Sequence, residues 1–111
     1  MAKIIFAFQP SMAVTIKTEE EIDLMREGGR LLADILRQVV AATRVGIATL
    51  ELDTLAENLI LQCGGRPSFK GYRIKGADVA YPSTICVSIN EEVVHGIPRK
   101  TKILHEGDIV G

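Results

Sequence analysis

The side chain with the most chemistry to offer is His95, in the run Val93-Val94-His95-Gly96-Ile97-Pro98. An imidazole titrates near neutrality and can both donate and accept a proton. His95 stands between a β-branched pair and a Gly/Pro turn, the kind of place where a rigid base displays a functional group. Taken alone, a single histidine is more often a structural hydrogen-bonding group. His105, flanked by charge and followed by Glu106-Gly107-Asp108, reads as a surface residue. Glu91 and Glu92 are adjacent and fall in a turn after Asn90. Consecutive residues of an extended chain face opposite ways, so the two carboxylates read as solvated and not as an acid–base pair. Asp108 likewise reads as a turn residue before it reads as a metal ligand. No His, Cys or carboxylate spacing matches a zinc site. The glycines form neither a dinucleotide nor a phosphate loop, and no serine sits in a nucleophile elbow.

The two cysteines, Cys63 and Cys86, are too few for the disulfide framework of a small secreted domain. Both are expected as free thiols in a reducing compartment, and Cys63 as a structural residue closing a helix. The expected location is the cytosol. Thirteen Lys and Arg against fourteen Asp and Glu give a formal charge of -1 with no basic run. That argues against direct nucleic-acid binding or an anionic membrane surface. The apolar run Ile4–Phe8 is shorter than a signal-peptide core, which needs about 7–15 residues. Residues 1–11 are therefore expected as an extension, with the patterned domain running from 12 to 111.

These residues need elements to hold them. Thr18 with Glu21 forms a capping box, and Glu19, Glu20 and Glu21 suit the positive end of a helix dipole. Ile22, Met25, Leu32, Ile35, Leu36 and Val39 then recur as a helical stripe. Gly28 and Gly29 interrupt it, which predicts another element packed closely there. Gly46 to Thr49 reads as a turn with Thr49 as the next N-cap. Leu52, Leu55 and Leu59 share a helical face, and Cys63 with Gly64-Gly65 supplies the stop. Residues 66–82 read as loop. Ile85, Val87 and Ile89 alternate with polar residues at strand period. Val93-Val94 predicts a second short strand and Ile109-Val110 a third. Helices followed by antiparallel strands predict an α+β domain, and 111 residues suffice for one modest core.

Five stretches in order resemble type I methionine aminopeptidases over Ile16 to Val110. They are IKTEEEIDLMREGGRLLADIL, TLELDTLAENLI, PSFKGY, YPSTICVSINEEVVHGIP and LHEGDIVG. The resemblance implies the N-terminal half of a pita-bread (creatinase/aminopeptidase) fold, with two helices packed on an antiparallel sheet. It implies removal of the initiator methionine of nascent proteins by metal-dependent hydrolysis. The cofactor would be two divalent ions, cobalt, manganese, iron or zinc, held by two Asp, one His and two Glu. All five ligands are expected beyond Gly111, so that this chain alone is expected to be inactive. The partner would be the N-terminal Met of nascent polypeptides, with the ribosome in reach, no membrane and a monomeric state.

By the same resemblance His95 contacts substrate near the scissile amide. Tyr72, Tyr81 and Cys86, with Phe69 beside them, line the pocket for the methionine side chain, where an apolar, polarisable wall suits a thioether. Arg73–Ala80 makes the segment between KGY and YP longer than the resemblance implies, which leaves open how Tyr72 stands against Tyr81. Two other readings compete: a non-catalytic half-domain that binds a peptide or partner, and a half-domain that pairs with its own copy.

Overall fold

The computed structural model describes residues 14–111, and the expected extension over residues 1–11 lies outside them. Helix α1 spans Glu19–Ala42 and helix α2 spans Thr49–Gln62. The expected capping box opens α1. The Thr18 hydroxyl accepts the Glu21 N–H at 3.2 Å, and the Glu21 carboxylate accepts the Thr18 N–H at 2.9 Å. Ion pairs Asp23–Arg26, Glu27–Arg30 and Asp34–Arg37 run along its solvent side. Each adds only about 0.2–0.5 kcal/mol to a helix. The helix ends at Thr43, whose hydroxyl turns back to the Val39 carbonyl at 2.9 Å.

Helix α2 starts one residue earlier than its sequence predicts. Ala48 is the N-cap and Thr49 is already helical and fully buried. The Thr49 hydroxyl has a long-range task instead. It accepts the Arg99 N–H at 2.9 Å and donates to the Arg99 carbonyl at 3.2 Å. Glu51 covers the helix start by accepting the Ala48 N–H at 3.0 Å. At the other end Gly64 N–H reaches Leu61 O at 3.0 Å and Gly65 N–H reaches Ile60 O at 2.9 Å. That crossed pair is a Schellman stop.

The core is small. Ile47, Leu52 and Leu104 are buried together, with Val39, Ala42, Ile85 and Ile89 packed around them. Only Ile35 of the α1 stripe is buried, while Met25, Leu32 and Leu36 remain exposed. The close packing expected at Gly28 and Gly29 is not found: a Cβ on either would meet nothing within 4 Å among the described residues.

The second half departs from the expected sheet. Among the described residues there are two isolated antiparallel bridges, Ala48–Ile103 and Ile89–Val110, and no longer strand. Ser88 and Gly111 exchange both main-chain bonds, at 2.8 and 2.9 Å, and Asn90 N–H reaches Ile109 O at 2.9 Å. Ile85–Ile89 has the right alternation, but its main-chain partners are scattered: Gly96 takes the Val87 N–H at 2.8 Å, and the run 109–111 meets Ser88 and its neighbours. A ladder needs several successive paired residues. Val93 and Val94, expected as a strand, are exposed.

Candidate functional site

Three of the sequence-predicted residues meet through their side chains. The rings of Phe69 and Tyr81 lie edge to face, with centroids 6.4 Å apart at 89°, an arrangement favoured by aromatic quadrupoles. The Tyr81 hydroxyl donates to the Ile85 carbonyl at 2.9 Å and lies 3.2 Å from Cys86 Sγ. Burial pushes the Tyr81 phenol up, reinforced by Cys86 and by the carboxylate of Asp53 nearby. The Tyr81 phenol therefore stays protonated at physiological pH.

Tyr72 joins this group through the backbone. Its N–H closes a turn on Phe69 O at 2.9 Å. Gly71, third residue of that turn, has φ +82, a conformation that glycine adopts without steric cost. Gly71 N–H then reaches Tyr81 O, and Tyr81 N–H reaches Tyr72 O, both at 2.8 Å. The long Arg73–Ala80 segment thus leaves and returns as a hairpin, and Tyr72 stays level with Tyr81. A second turn at its tip brings Ala77 N–H to Ile74 O at 2.9 Å. The Tyr72 ring itself is largely exposed.

His95 is presented separately. It is exposed and adopts φ 57, the left-handed region. Its neighbour Gly96 is buried, and a Cβ there would lie 2.2 Å from the Val87 carbonyl oxygen. That close approach is fixed by the Val87 N–H to Gly96 O bond at 2.8 Å and the Gly96 N–H to Ser88 Oγ bond at 3.1 Å. His95 is thereby anchored beside the residue that follows Cys86. The concavity it lines, about 660 Å³, is bounded by Glu92, Val94, Arg99 and Lys102, and Phe69, Tyr72, Tyr81 and Cys86 are not among its walls.

The acidic residues have structural partners. Glu91 is exposed, as its turn position predicts. Glu92 is not simply solvated: it accepts Lys102 Nζ at 2.6 Å and the Ile89 N–H at 2.8 Å, and these two bonds hold its carboxyl below the usual range. Asp108 accepts the His105 N–H at 2.7 Å and the Asn90 side-chain amide at 2.8 Å. One of its oxygens closes the turn and the other is held by Asn90, eighteen residues away. Sequence reasoning missed Asp53. It is 5% exposed and accepts the N–H groups of Thr84 and Ile85 at 2.8 and 2.9 Å. An Asp at the fourth position of a predicted helix, beside an apolar face, is the available signal.

Residues 23–111 match metallopeptidase family M24. The chain belongs to that family.

Relatives of this M24 chain include the methionine aminopeptidase of Clostridium acetobutylicum, 44% identical over 97 residues, and methionine aminopeptidase 1 of Bacillus subtilis, 42% identical over 97 residues. Each comparison covers 87% of this chain and 36% of the relative. The crystal structure of the Thermotoga maritima methionine aminopeptidase superposes with a TM-score of 0.78 at 40% identity, over 88% of this chain and 37% of that one. The M24 chain thus spans little more than a third of the length of the proteins it matches. Its fold is that of the matching part of methionine aminopeptidases.

The family is one of metallopeptidases, so the donor set bears directly on a metal. Among the described residues no three His, Cys, Asp or Glu side chains converge as a metal shell would require. With Asp108 committed to His105 and Asn90, the described residues do not fit a metal. No described helix is long and apolar enough to cross a membrane.

Proposed function

We propose that this M24 chain is the substrate-recognition portion of a cytosolic methionine aminopeptidase, acting on the N-terminal Met of nascent polypeptides. Phe69, Tyr81 and Cys86, with Tyr72 alongside, receive the methionine side chain. His95 hydrogen-bonds the peptide near the scissile amide. The observation that carries this reading is the continuous Phe69–Tyr81–Cys86 contact. It is a wall of aromatic rings and sulfur, and a thioether packs favourably against aromatic rings. A charged side chain would lose hydration on entering it. The left-handed His95 fits the same reading, since strained backbone at an exposed residue is a hallmark of sites where geometry serves function.

Tyrosine fluorescence gives a direct test, because the chain has no Trp and its two Tyr, Tyr72 and Tyr81, both belong to the site. L-Methioninamide and a Met-Ala peptide are expected to produce a saturable change, and a Glu-Ala peptide none. A flat titration with both methionine ligands at concentrations up to about 10 mM, beyond which even small-ligand binding is weak, removes the pocket.

A further inference from the structure

Helix α2 carries Asp53 and Glu57 one turn apart, positions that share a helix face. The two carboxylates grip opposite sides of the aromatic–thiol cluster. Glu57 holds Lys70 Nζ at 2.6 and 2.7 Å through its two oxygens. Lys70 is the second residue of the turn that carries Phe69 at one end and Tyr72 at the other. Asp53 takes the N–H groups of Thr84 and Ile85 on the single oxygen Oδ1, and these residues immediately precede Cys86.

Helix stability explains neither contact. Asp53 lies beyond the first turn, where the favourable dipole interaction of an acid has faded. A buried carboxylate costs free energy unless it is hydrogen-bonded. Thr84 makes the dependence on Asp53 sharper. Its own hydroxyl is buried without a partner, so this segment is tied to α2 through its main-chain N–H groups. Removing Asp53 would leave two further donors unsatisfied. Tyr81 spans the two sides, with its ring in T-shaped contact with Phe69 and its hydroxyl beside Cys86.

We propose that Asp53 and Glu57 are positioning residues that fix the gap between the Phe69–Tyr72 wall and the Cys86 wall, and so determine which N-terminal side chain the cluster admits. This rests on the reading of the cluster as a side-chain pocket. Both walls are referred to one turn of one helix, so they cannot drift apart independently. A pocket held in this way discriminates by width, and methionine is longer and narrower than leucine or phenylalanine.

The test uses the whole chain with Cys63→Ser, which leaves Cys86 as its one thiol, and follows alkylation of Cys86 by iodoacetamide. Asp53→Ala is expected to speed alkylation by about 10-fold or more, the ratio that accompanies loss of one hydrogen bond to a charged group. Asp53→Asn keeps an acceptor at the same place and is expected to return the rate to within about 3-fold of the parent, the spread left by exchanging a charged for a neutral acceptor. Alkylation of Asp53→Ala at the parental rate overturns the proposal. Should Asp53→Ala lose its helical circular dichroism, Asp53→Asn and Glu57→Gln carry the decision through ligand protection.

L-Methionine is expected to protect Cys86 in the parent better than L-leucine does. The ratio of the two protection constants is expected to fall about 3-fold in Glu57→Gln, as loss of a part-exposed ion pair would produce. Parallel weakening with an unchanged ratio shows a merely structural role and overturns the proposal while the pocket stands. No protection in the parent removes the pocket itself, and the specificity claim with it.

Discussion

His95 and Gly96 act as a pair, one strained and the other indispensable to the strain. A non-glycine residue in the left-handed region costs roughly 1–2 kcal/mol, and His95 occupies that region at φ 57. His95→Gly is therefore expected to raise thermal stability by about 1 kcal/mol while removing the methionine-peptide response of the site. A lower melting temperature in that variant would show that the imidazole makes a stabilising contact. Gly96→Ala goes the other way. Its Cβ would lie 2.2 Å from the Val87 carbonyl oxygen, main chain that cannot swing aside. A loss of about 1–3 kcal/mol, as for overpacked positions, is expected in denaturant unfolding. His95→Ala in a catalytically competent protein containing this chain is expected to lower kcat by about 10²–10³, the effect of one missing transition-state hydrogen bond. Near-normal turnover would take His95 out of the reaction.

At the scale of elements, the junction between Ser88–Asn90 and Ile109–Gly111 is held by side chains as much as by main chain. The Asn90 amide donates to Asp108 at 2.8 Å, and its carbonyl oxygen accepts the Ile109 N–H at 3.0 Å. The His105 N–H, and then Asn90, hold the Asp108 carboxyl below its ordinary range. A carboxyl with a depressed folded-state pKa contributes stability that is fully present above its unfolded value, about 3.9. That contribution is lost as the pH falls through the folded value. Asp108→Asn is expected to make stability less steep in pH below about 4, the unfolded aspartate pKa. Acid unfolding followed by circular dichroism reads the slope, and identical slopes would show that Asp108 is not linked to folding. Glu92 belongs to the same acid limb, with Lys102 as its main partner and Ile89 N–H as the second. Helix α1 is more independent: Thr18→Ala is expected to cost about 1 kcal/mol, the usual worth of an N-cap.

For the molecule as a whole, the apolar stripe of α1 outweighs what the core covers. Leu24, Met25, Leu32, Leu36 and Val40 are each 59–73% exposed. Contiguous exposed apolar surface of this kind is unusual for a free-standing domain. The purified chain is expected to bind a hydrophobic dye, and Leu32→Lys with Leu36→Lys to abolish most of that binding without loss of helix. A dye signal unchanged by the double substitution would place the exposed surface elsewhere. The donor set sets a second expectation at this scale. With no three-donor group among the described residues, the chain supplied with excess cobalt or manganese should release no Met from a Met-Ala peptide. Stoichiometric metal uptake with turnover above a mock-purified control would refute it.

The sequence by itself determined the local structure and the list of interesting side chains. The Thr18–Glu21 box, the Cys63-Gly64-Gly65 stop and the turn nature of Asp108 each depend on neighbours within a few residues, and each is as the sequence reads. His95 stands out by its own setting, whereas Phe69, Tyr72, Tyr81 and Cys86 come only from the resemblance; the family match bears out the family. What local pattern does not encode is which distant group satisfies a polar atom. Thr49 reads as a cap, yet its hydroxyl serves Arg99, fifty residues away. Asp53 reads as one more helical acid, yet it binds main chain thirty-one residues on. Gly28 and Gly29 imply a packed neighbour, and none of the described residues provides it. The alternation at Ile85–Ile89 states a strand's preference, but a sheet forms only where another segment offers its own N–H and C=O groups in register. Tertiary structure decided these points, because burial and hydrogen-bond partnership belong to pairs of residues and not to either residue alone.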